Sequence, residues 1–480
     1  MPIVKKVEPV VEPLEKKTIL FLSDHPLAPS GVGVQARQLI EGLLKTKKYR
    51  FLCLGGALKH HHYGVGQVTP DFIIKPVDGF GDKEAVRRIL MTERPDAIVI
   101  FTDPRQFIWL WEAEDEIHQI CPIAYWHVWD NDPYPVFNRV WYESTELVNC
   151  LSHKTYEMVK PNFPEEGKVN YIPHAFPKEM YFPIPEKARQ EIRRANMGPR
   201  AEWFTALWVN RNATRKLPSD VMEGWKLFLD RLEKEDGHRK AVLIMHTDPA
   251  DQEGPNLHMV QDLLGLQNNV MFSTEKVEFK QMNLLHNMAD CTINIAKNEG
   301  FGLSTLISLQ CGKPIIALKT GGLTRQVIDH RDGTELGVAI KPVTRKLVGS
   351  QMVPFIYEDF ASQEDVANAF MKIYRMSPEE KKALEEKMVS YAQTEFSYEK
   401  MISEWDRTLT ATISEWETKK KLEKRWALLP LNPVVSTIPA NVVKDAPKPP
   451  PVALVKPLAP NPKKMDPAIL TRLSNIKGKK

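Results

Sequence analysis

The residues that are most informative about chemistry lie in one glycine-rich segment that starts at position 298. It reads NEGFGLSTLISLQCGKPIIALKTGG, so an acid, Glu299, is followed directly by Gly300 and Gly302. A buried strand precedes this loop, and a short helix from Leu303 follows it, with Ser304 as its expected cap. Glycines let the backbone approach a ligand closely, and a helix start presents free amide groups to an anion. A carboxylate beside such a site would accept hydrogen bonds from hydroxyl groups, which indicates a sugar phosphate or a nucleotide sugar.

Strands and helices alternate on both sides of this segment. Helical spacing occurs between apolar runs, as at 83–94. The apolar runs of strand length are 18–23, 50–54, 97–101, 121–126, 169–172, 204–209, 241–246, 270–273, 291–295 and 314–317. This alternation predicts largely parallel sheets that helices cover on both faces, and ligands bind beyond the carboxyl ends of the strands in such sheets. The predicted fold class is therefore α/β, with two lobes that face a cleft.

The charge of the 480-residue chain is unevenly distributed. Lys and Arg number 65 against 61 Asp and Glu, which gives a net charge of +4. From 419 to 480 there are 14 basic and three acidic residues, or +11, which leaves −7 for the remainder. Eleven of the 37 prolines also lie in this tail. A basic, proline-rich segment with few aromatic residues buries too little apolar surface to offset its ordering entropy, so we expect it to be disordered.

The composition also argues against several classes of protein. No apolar stretch approaches the roughly 18 residues that a membrane span needs. The opening residues lack the apolar core of a secretory signal. The five cysteines are widely scattered and show no C-x-x-C spacing, which argues against a zinc site or a disulfide framework. We therefore predict a cytoplasmic protein without a transmembrane segment, a metal site or a cofactor.

The glycine-rich segment resembles the signature of retaining glycosyltransferase family 4, whose fold is the two-lobed GT-B arrangement. Members typically read EGFGLPxLEAMACGxPVIA and then GG, and this chain reads EGFGLSTLISLQCGKPIIA and then GG. Four further blocks follow the family order: VNYIPH from 169, VNR from 209 with Lys216, AD at 289, and FSY at 396. The resemblance covers roughly 17–415 and implies two Rossmann-like lobes that face an interlobe cleft.

The resemblance implies a role for each matching position. Arg211 and Lys216 match the basic pair that holds the donor diphosphate, and Glu299 matches an acid beside the donor sugar. His127 matches a histidine at a strand end near the donor sugar and the acceptor. These four are the predicted catalytic residues. Donor contacts are also expected from the glycine loop of the first lobe and from the signature segment, at Gly31, Gly33, Gly300, Phe301, Gly302, Leu303 and Ser304.

The chain departs from the family pattern at two acidic positions. The second acid of the family motif E-x7-E, which holds the nucleotide ribose, is replaced by Ile307. The usual acid after Gly-Gly is replaced by Arg325. Asn210 and Leu217 also stand where the family has glycine. These changes affect the expected nucleotide contacts more than the transfer machinery.

We predict that the chain is divided into five segments, on the basis of the proline cluster near 173–185, the composition and the resemblance. They are an N-terminal arm (1–16), an N-terminal Rossmann-like lobe on the acceptor side (17–183), a C-terminal Rossmann-like lobe that binds the nucleotide-sugar donor (184–395), C-terminal helices that pack back towards the first lobe (396–418), and the basic tail (419–480).

The implied function is metal-independent transfer of a sugar from a nucleotide diphosphate sugar to a hydroxyl acceptor, with retention at the anomeric carbon. The acceptor would be a glycan, a lipid or a small molecule. Trp126, Trp129 and Asp130, in the sequence WHVWDNDPYP, are the candidate acceptor contacts because aromatic rings stack on sugars and carboxylates bind hydroxyls. One alternative is a transferase that modifies a hydroxylated base in DNA, with phosphate attraction from the basic tail. A second alternative is a degenerate GT-B binding module without activity.

Overall fold

A computed structural model describes residues 15–58 and 66–420, without the side chains of 419 and 420. The arm up to residue 14, and the basic tail from residue 421 onward, lie outside the described residues. The predicted disorder of the tail and its predicted attraction for nucleic acid therefore stay predictions.

The N-terminal half of the described residues forms an eight-stranded sheet with the order β3-β4-β2-β1-β5-β6-β7-β8. Every pairing is parallel except that of β3 with β4. The central strands are buried along most of their length because helices cover both faces of the sheet. The strands are β1 (Lys17–Asp24), β2 (Tyr49–Leu58), β3 (Gly66–Thr69), β4 (Phe72–Asp78), β5 (Ala97–Phe101), β6 (Ile123–His127), β7 (Leu147–Cys150) and β8 (Val169–Tyr171).

The second half contains a six-stranded, fully parallel sheet with the order β11-β10-β9-β12-β13-β14. A separate antiparallel hairpin, β15–β16, follows it. The strands are β9 (Phe204–Val209), β10 (Ala241–His246), β11 (Val270–Ser273), β12 (Cys291–Asn294), β13 (Ile315–Leu318), β14 (Gly337–Ile340), β15 (Thr344–Val348) and β16 (Ile356–Phe360).

Some of the helices in the described residues begin at side-chain caps. Ser30 accepts the Gly33 amide at the start of α1, and Ser377 forms a reciprocal capping box with Glu380 at the start of α14. The helices of the first half are α1 (Gly31–Leu44), α2 (Lys83–Thr92), α3 (Ile108–Trp111), α4 (Glu114–Ile117), α5 (Arg139–Glu143) and α6 (His153–Val159). Those of the second half are α7 (Glu186–Met197), α8 (Pro218–Asp236), α9 (Leu257–Leu263), α10 (Phe279–Met288), α11 (Leu303–Gln310), α12 (Thr324–Val327), α13 (Gln363–Arg375), α14 (Pro378–Glu395) and α15 (Tyr398–Glu415). None of the helices in the described residues is long and apolar enough to cross a membrane.

The last helix, α15, returns to the N-terminal sheet. The Tyr398 hydroxyl donates to the Gln38 carbonyl at 2.8 Å, and the buried Trp405 ring lies edge-on to Trp126 at 5.1 Å. Tyr49 donates to Asp406 at 2.7 Å beside them. A segment that is distant in sequence therefore completes the core of the first sheet. The domain boundaries at 183 and 395 stay predictions.

All ten strands predicted from apolar runs are present, and the predicted helix at 83–94 is α2. The prediction missed β3, β4, β7, β14 and the hairpin β15–β16. β7 and β14 are four residues long, and such short runs do not stand out in a pattern. The exposed hairpin strand β15 has almost no buried face, so it carries no apolar alternation.

Candidate functional site

Three of the predicted site residues converge because parallel strands from both sheets end at the same place. Asp130 follows β6 of the first sheet. Lys216 follows β9 through a 3₁₀ turn, Thr214–Lys216, and Glu299 follows the neighbouring strand β12. Side chains beyond the carboxyl ends of these strands therefore meet across the interlobe cleft.

Lys216 and Glu299 form a buried ion pair at this point. Only 8% of the Lys216 side chain and 13% of the Glu299 side chain are exposed. Burial opposes ionisation of Glu299, but the charges of Lys216 and Arg215 and a 3.4 Å hydrogen bond donated by Asn294 outweigh it and lower its pKa. Burial also lowers the pKa of Lys216. The carboxylate of Glu299 is therefore ionised at neutral pH, and Lys216 is its ion-pair partner.

Asp130 approaches this pair from the first lobe. Burial raises its pKa to about 6, and the charge of Glu299 adds to this effect, whereas Arg215 and Lys216 oppose it. Its position is close to two glycines of the second lobe. A Cβ atom at Gly300 would lie 3.8 Å from the Asp130 Cβ atom, and one at Gly321 would lie 3.4 Å from its carbonyl oxygen. The structure thus brings together three of the predicted residues: Asp130, Lys216 and Glu299.

Two helix starts, one from each lobe, face each other beside the pair. A Cβ atom on Gly31, the first residue of α1, would lie 3.2 Å from a methyl group of Leu303, the first residue of α11. Gly302 is the N-cap of α11, with φ +92°, and no side chain among the described residues caps that start. The expected cap at Ser304 is therefore wrong. Both positive helix ends point to one locality, which favours an anion there.

Gly33 has a structural reason to be glycine. A Cβ atom there would lie 2.6 Å from the His25 carbonyl oxygen and 2.9 Å from that of Ala28. The loop before α1 therefore folds tightly over the helix start, and Ser30 caps it while donating to Asp24 at 2.5 Å.

The residues around the predicted histidine are buried in this structure. His127 is fully buried between Tyr125 and Tyr142, and its Nδ1 atom accepts the Trp129 amide at 3.3 Å. Burial lowers its pKa to about 3, so the ring is neutral. Trp126 stacks on Phe101 at 4.1 Å, and the buried Trp129 ring donates to the Asn131 carbonyl at 2.9 Å. This conformation leaves neither tryptophan ring free to stack on a ligand.

The two predicted donor cations occupy different surroundings. Arg211 is 62% exposed and makes a two-pronged ion pair with Asp251 at 2.7 and 3.0 Å. Arg215, which the sequence analysis did not single out, acts electrostatically on both Asp130 and Glu299. Its position next to Lys216 in the chain was the available signal.

The remaining signature residues support the loop rather than project from it. Phe301 is buried and packs edge-on against His174 at 5.0 Å and Phe396 at 5.6 Å. Its carbonyl accepts the Gln326 amide group at 2.6 Å, and Gln326 also accepts the Thr305 hydroxyl. The buried polar residues Gln326 and Thr305 therefore fix the start of α11, and the sequence analysis missed both.

At the two acidic positions where the chain departs from the family pattern, the side chains make other contacts. Ile307 is buried in the main apolar core, so position 307 presents no hydrogen-bonding group. Arg325 donates to Glu395 at 2.9 Å and lies over the Tyr171 ring at 5.4 Å. Glu395 also accepts the Tyr171 hydroxyl at 2.9 Å. Arg325 thus belongs to a polar contact between β8 and α14.

Comparisons with known proteins agree with this fold. Residues 204–344 match the family model described as "Glycosyl transferases group 1". The match includes β9, Lys216, Glu299 and α11, and ends at the first residue of the hairpin.

Two curated relatives match part of the chain. D-inositol 3-phosphate glycosyltransferase 2 of Catenulispora acidiphila is 23% identical over 191 residues, which is 39% of this chain and 43% of the relative. N-acetyl-alpha-D-glucosaminyl L-malate synthase of Bacillus anthracis is 22% identical over 253 residues, which is 48% of this chain and 60% of the relative. The chain thus spans about half the length of the curated relatives it matches.

Solved structures match over most of the chain. Sucrose-phosphate synthase from Thermosynechococcus elongatus has a TM-score of 0.64 at 15% identity and covers 83% of this chain and 100% of its own. Anabaena Alr3699/HepE in complex with UDP and glucose has a TM-score of 0.61 at 14% identity, with the same coverage. The predicted fold class, α/β with the GT-B arrangement of two Rossmann-like lobes, is confirmed.

Proposed function

We propose that this chain is a glycosyltransferase that moves a sugar from a nucleotide diphosphate sugar to a hydroxyl acceptor, with retention and without a metal ion. The observation that carries the proposal is the convergence of Lys216, Glu299 and two helix starts at the carboxyl ends of the strands. The match of 204–344 to the glycosyl transferases group 1 model supports the same activity. The similar Anabaena protein was solved in complex with UDP and glucose, which supports a nucleotide-sugar donor.

The electrostatics suit a diphosphate leaving group. Lys216 and the starts of α1 and α11 would bind the diphosphate and stabilise the negative charge that grows on it as the bond to the sugar breaks. We propose that these groups take the place of a metal ion. When the diphosphate binds, Lys216 gains a second anion, and Glu299 becomes available to accept hydrogen bonds from the sugar hydroxyls.

We propose that the acceptor hydroxyl approaches from the first lobe, beside Asp130. Asp130 is the carboxylate of that lobe whose pKa responds to both members of the ion pair. A hydroxyl that donates to Asp130 would lie next to the sugar that Glu299 holds. His127, which is buried and neutral, would contribute to this site only after a rearrangement of the aromatic residues around it.

The test is incubation of the full chain with a panel of UDP-, GDP- and ADP-sugars, with donor hydrolysis followed by mass spectrometry in the presence and absence of EDTA. We expect slow hydrolysis of at least one donor, unaffected by EDTA, and its loss in Lys216→Ala. Lys313→Ala is the matched control because Lys313 is also buried and also faces a glutamate, Glu385, at 3.5 Å. It lies beyond the other end of α11.

Each negative result has a defined meaning. Hydrolysis that persists in Lys216→Ala contradicts the diphosphate role of Lys216. Binding of a nucleotide without hydrolysis of any donor would favour a binding module without activity. Absence of both binding and hydrolysis across the panel would refute the enzyme assignment.

A further inference from the structure

The hairpin β15–β16 joins the two chain segments that carry the site carboxylates. The Tyr357 carbonyl of β16 accepts the side-chain amide of Asn131 at 3.0 Å and that of Asn298 at 3.2 Å. Asn131 directly follows Asp130, and Asn298 directly precedes Glu299. A single backbone oxygen therefore ties together the neighbours of both carboxylates, one from each lobe.

Three further contacts attach the hairpin to the first lobe. The Tyr357 amide donates to the Asp132 carbonyl at 2.8 Å, and the Arg345 side chain of β15 lies 3.3 Å from the Asp132 carboxylate. The Phe355 ring meets Phe137 edge-on at 5.4 Å. These contacts fix the loop that follows β6, because they bind its backbone, a side chain and a ring.

The same hairpin is attached equally closely to the second lobe. The buried Asp359 carboxylate of β16 accepts the Thr320 hydroxyl of that lobe at 2.8 Å. Within the hairpin, the same carboxylate accepts two hydrogen bonds from Arg345 of β15, at 2.6 and 3.0 Å. The Asp359 amide donates to the Lys297 carbonyl at 3.0 Å, one residue before Asn298. Arg345 therefore links Asp132 of the first lobe to Asp359 of its own hairpin, and Asp359 contacts the second lobe.

We propose that the hairpin β15–β16 positions Asp130 relative to Glu299 and Lys216, and that Asn131, Asn298 and Arg345 are the positioning residues. The proposal rests on the function proposed above, because it assigns the hairpin to the acceptor side of that site. Asn131 and Asn298 are only 7% and 6% exposed, so their amide groups have no alternative partner in water. A small misplacement of groups that align two reactants can reduce a rate about 100-fold. A hairpin that holds the loop of Asp130 in place therefore affects the rate of the reaction.

The charged groups that face Asp130 come from three elements. Arg215 and Lys216 lie on the turn after β9, and Glu299 lies on the loop after β12. On the loop of Asp130 itself, Asp132 is paired with Lys154 and Arg345. Release of the hairpin would let Asp130 move away from Glu299 and into water, so its carboxyl group would ionise at a lower pH.

The first test compares Asn131→Ala and Asn298→Ala with wild type in the full chain. UDP, GDP and ADP binding is measured by calorimetry, and hydrolysis of the corresponding glucose donors gives kcat. We expect kcat to fall by about 10- to 100-fold with nucleotide affinity unchanged, because Lys216 and both helix starts are untouched. Asn269→Ala is the matched control, since Asn269 is equally buried and donates to two backbone carbonyls at the opposite end of the second sheet. Equal losses in the control and the two test variants would overturn the proposal.

The second test does not depend on activity. The carboxyl group of Asp130 is followed by ¹³C resonance against pH in wild type and in Arg345→Ala, with the signal assigned by its absence from Asp130→Asn. We expect the titration to move to lower pH in Arg345→Ala, and Arg345→Lys to restore part of the change. An unchanged titration in a folded Arg345→Ala variant would refute the proposal. If no donor is hydrolysed but the titration moves, the positioning role stands and the proposed function fails.

Discussion

Replacement of Asp130 by asparagine should stabilise the folded chain while it removes activity. Asparagine keeps the shape of the side chain but cannot ionise. The folded chain holds this carboxylate at a pKa of about 6, against an ordinary 3.8, mainly because of burial and also because of the charge of Glu299. Ionised Asp130 therefore destabilises the fold at neutral pH. A strongly perturbed pKa of this kind is typical of residues in functional sites.

The size of the effect follows from the two pKa values. The difference, 6 minus 3.8, corresponds to about 3 kcal/mol at about 1.4 kcal/mol per pKa unit. Solvent reaches part of this side chain, so we expect about 1 to 3 kcal/mol. An unfolding entropy of about 2.1 cal/mol/K per residue over roughly 400 described residues converts this to a rise of about 1 to 4 °C in Tm.

The measurement is Tm by calorimetry at a fixed scan rate, for wild type and Asp130→Asn, from pH 8 to pH 4. A raised folded pKa means that the folded chain disfavours the ionised carboxylate, so the penalty is complete above pH 6. It shrinks as the pH falls from 6 to 4, because the carboxyl group becomes protonated in the folded chain. The advantage of Asp130→Asn should shrink over the same interval.

The control is Asp115→Asn, which removes an exposed carboxylate from α4. It should show no comparable change between pH 8 and pH 4. The reasoning is refuted if Asp130→Asn is no more stable than wild type at pH 8, or if its advantage stays constant down to pH 4. A variant that is more stable and fully active would contradict the role of Asp130 in the site.

Two further substitutions test the elements that hold the site. Gly33→Ala should lower Tm, because the new methyl group would lie 2.6 Å from the His25 carbonyl oxygen, a backbone atom that cannot move aside easily. Gly66→Ala is the control, because a Cβ atom at Gly66 meets nothing within 4 Å. Equal Tm values for the two variants would contradict the steric role of Gly33. Trp405→Ala should lower the free energy of unfolding by about 3 to 5 kcal/mol, because it leaves a cavity against Trp126. Denaturant unfolding measures this change. A decrease below about 1 kcal/mol would show that α15 does not complete the core of the first sheet.

The sequence was sufficient for the parts of the fold that depend on local pattern. Buried parallel strands are continuous apolar runs, and α11 follows a glycine-rich loop, so both could be recognised without coordinates. The short strands β7 and β14 and the hairpin β15–β16 could not be recognised. The strands β7 and β14 are only four residues long, and β15 has no buried residue, so none of them shows a distinctive apolar pattern.

The candidate site was predicted only in part, because a motif identifies a residue but does not show which residues it contacts in the fold. Lys216 and Glu299 stand in motifs, and the structure brings them into contact. The burial of His127 depends on Tyr142, and the pairing of Arg211 depends on Asp251. Neither partner belongs to the motif that carries the predicted residue, so the motifs did not reveal that these two side chains are engaged with other partners.

The sequence by itself determined the ten strands with continuous apolar runs, the glycine-rich loops and the identity of the charged residues. Local backbone preferences and the burial of apolar runs are sufficient for these features. The tertiary structure alone decided that Asp130 of one lobe meets Lys216 and Glu299 of the other, and that Tyr357 ties their neighbours together. Contacts between residues more than 50 positions apart depend on how the two sheets and the hairpin are placed, and pKa values depend on the burial and the charges that this placement creates.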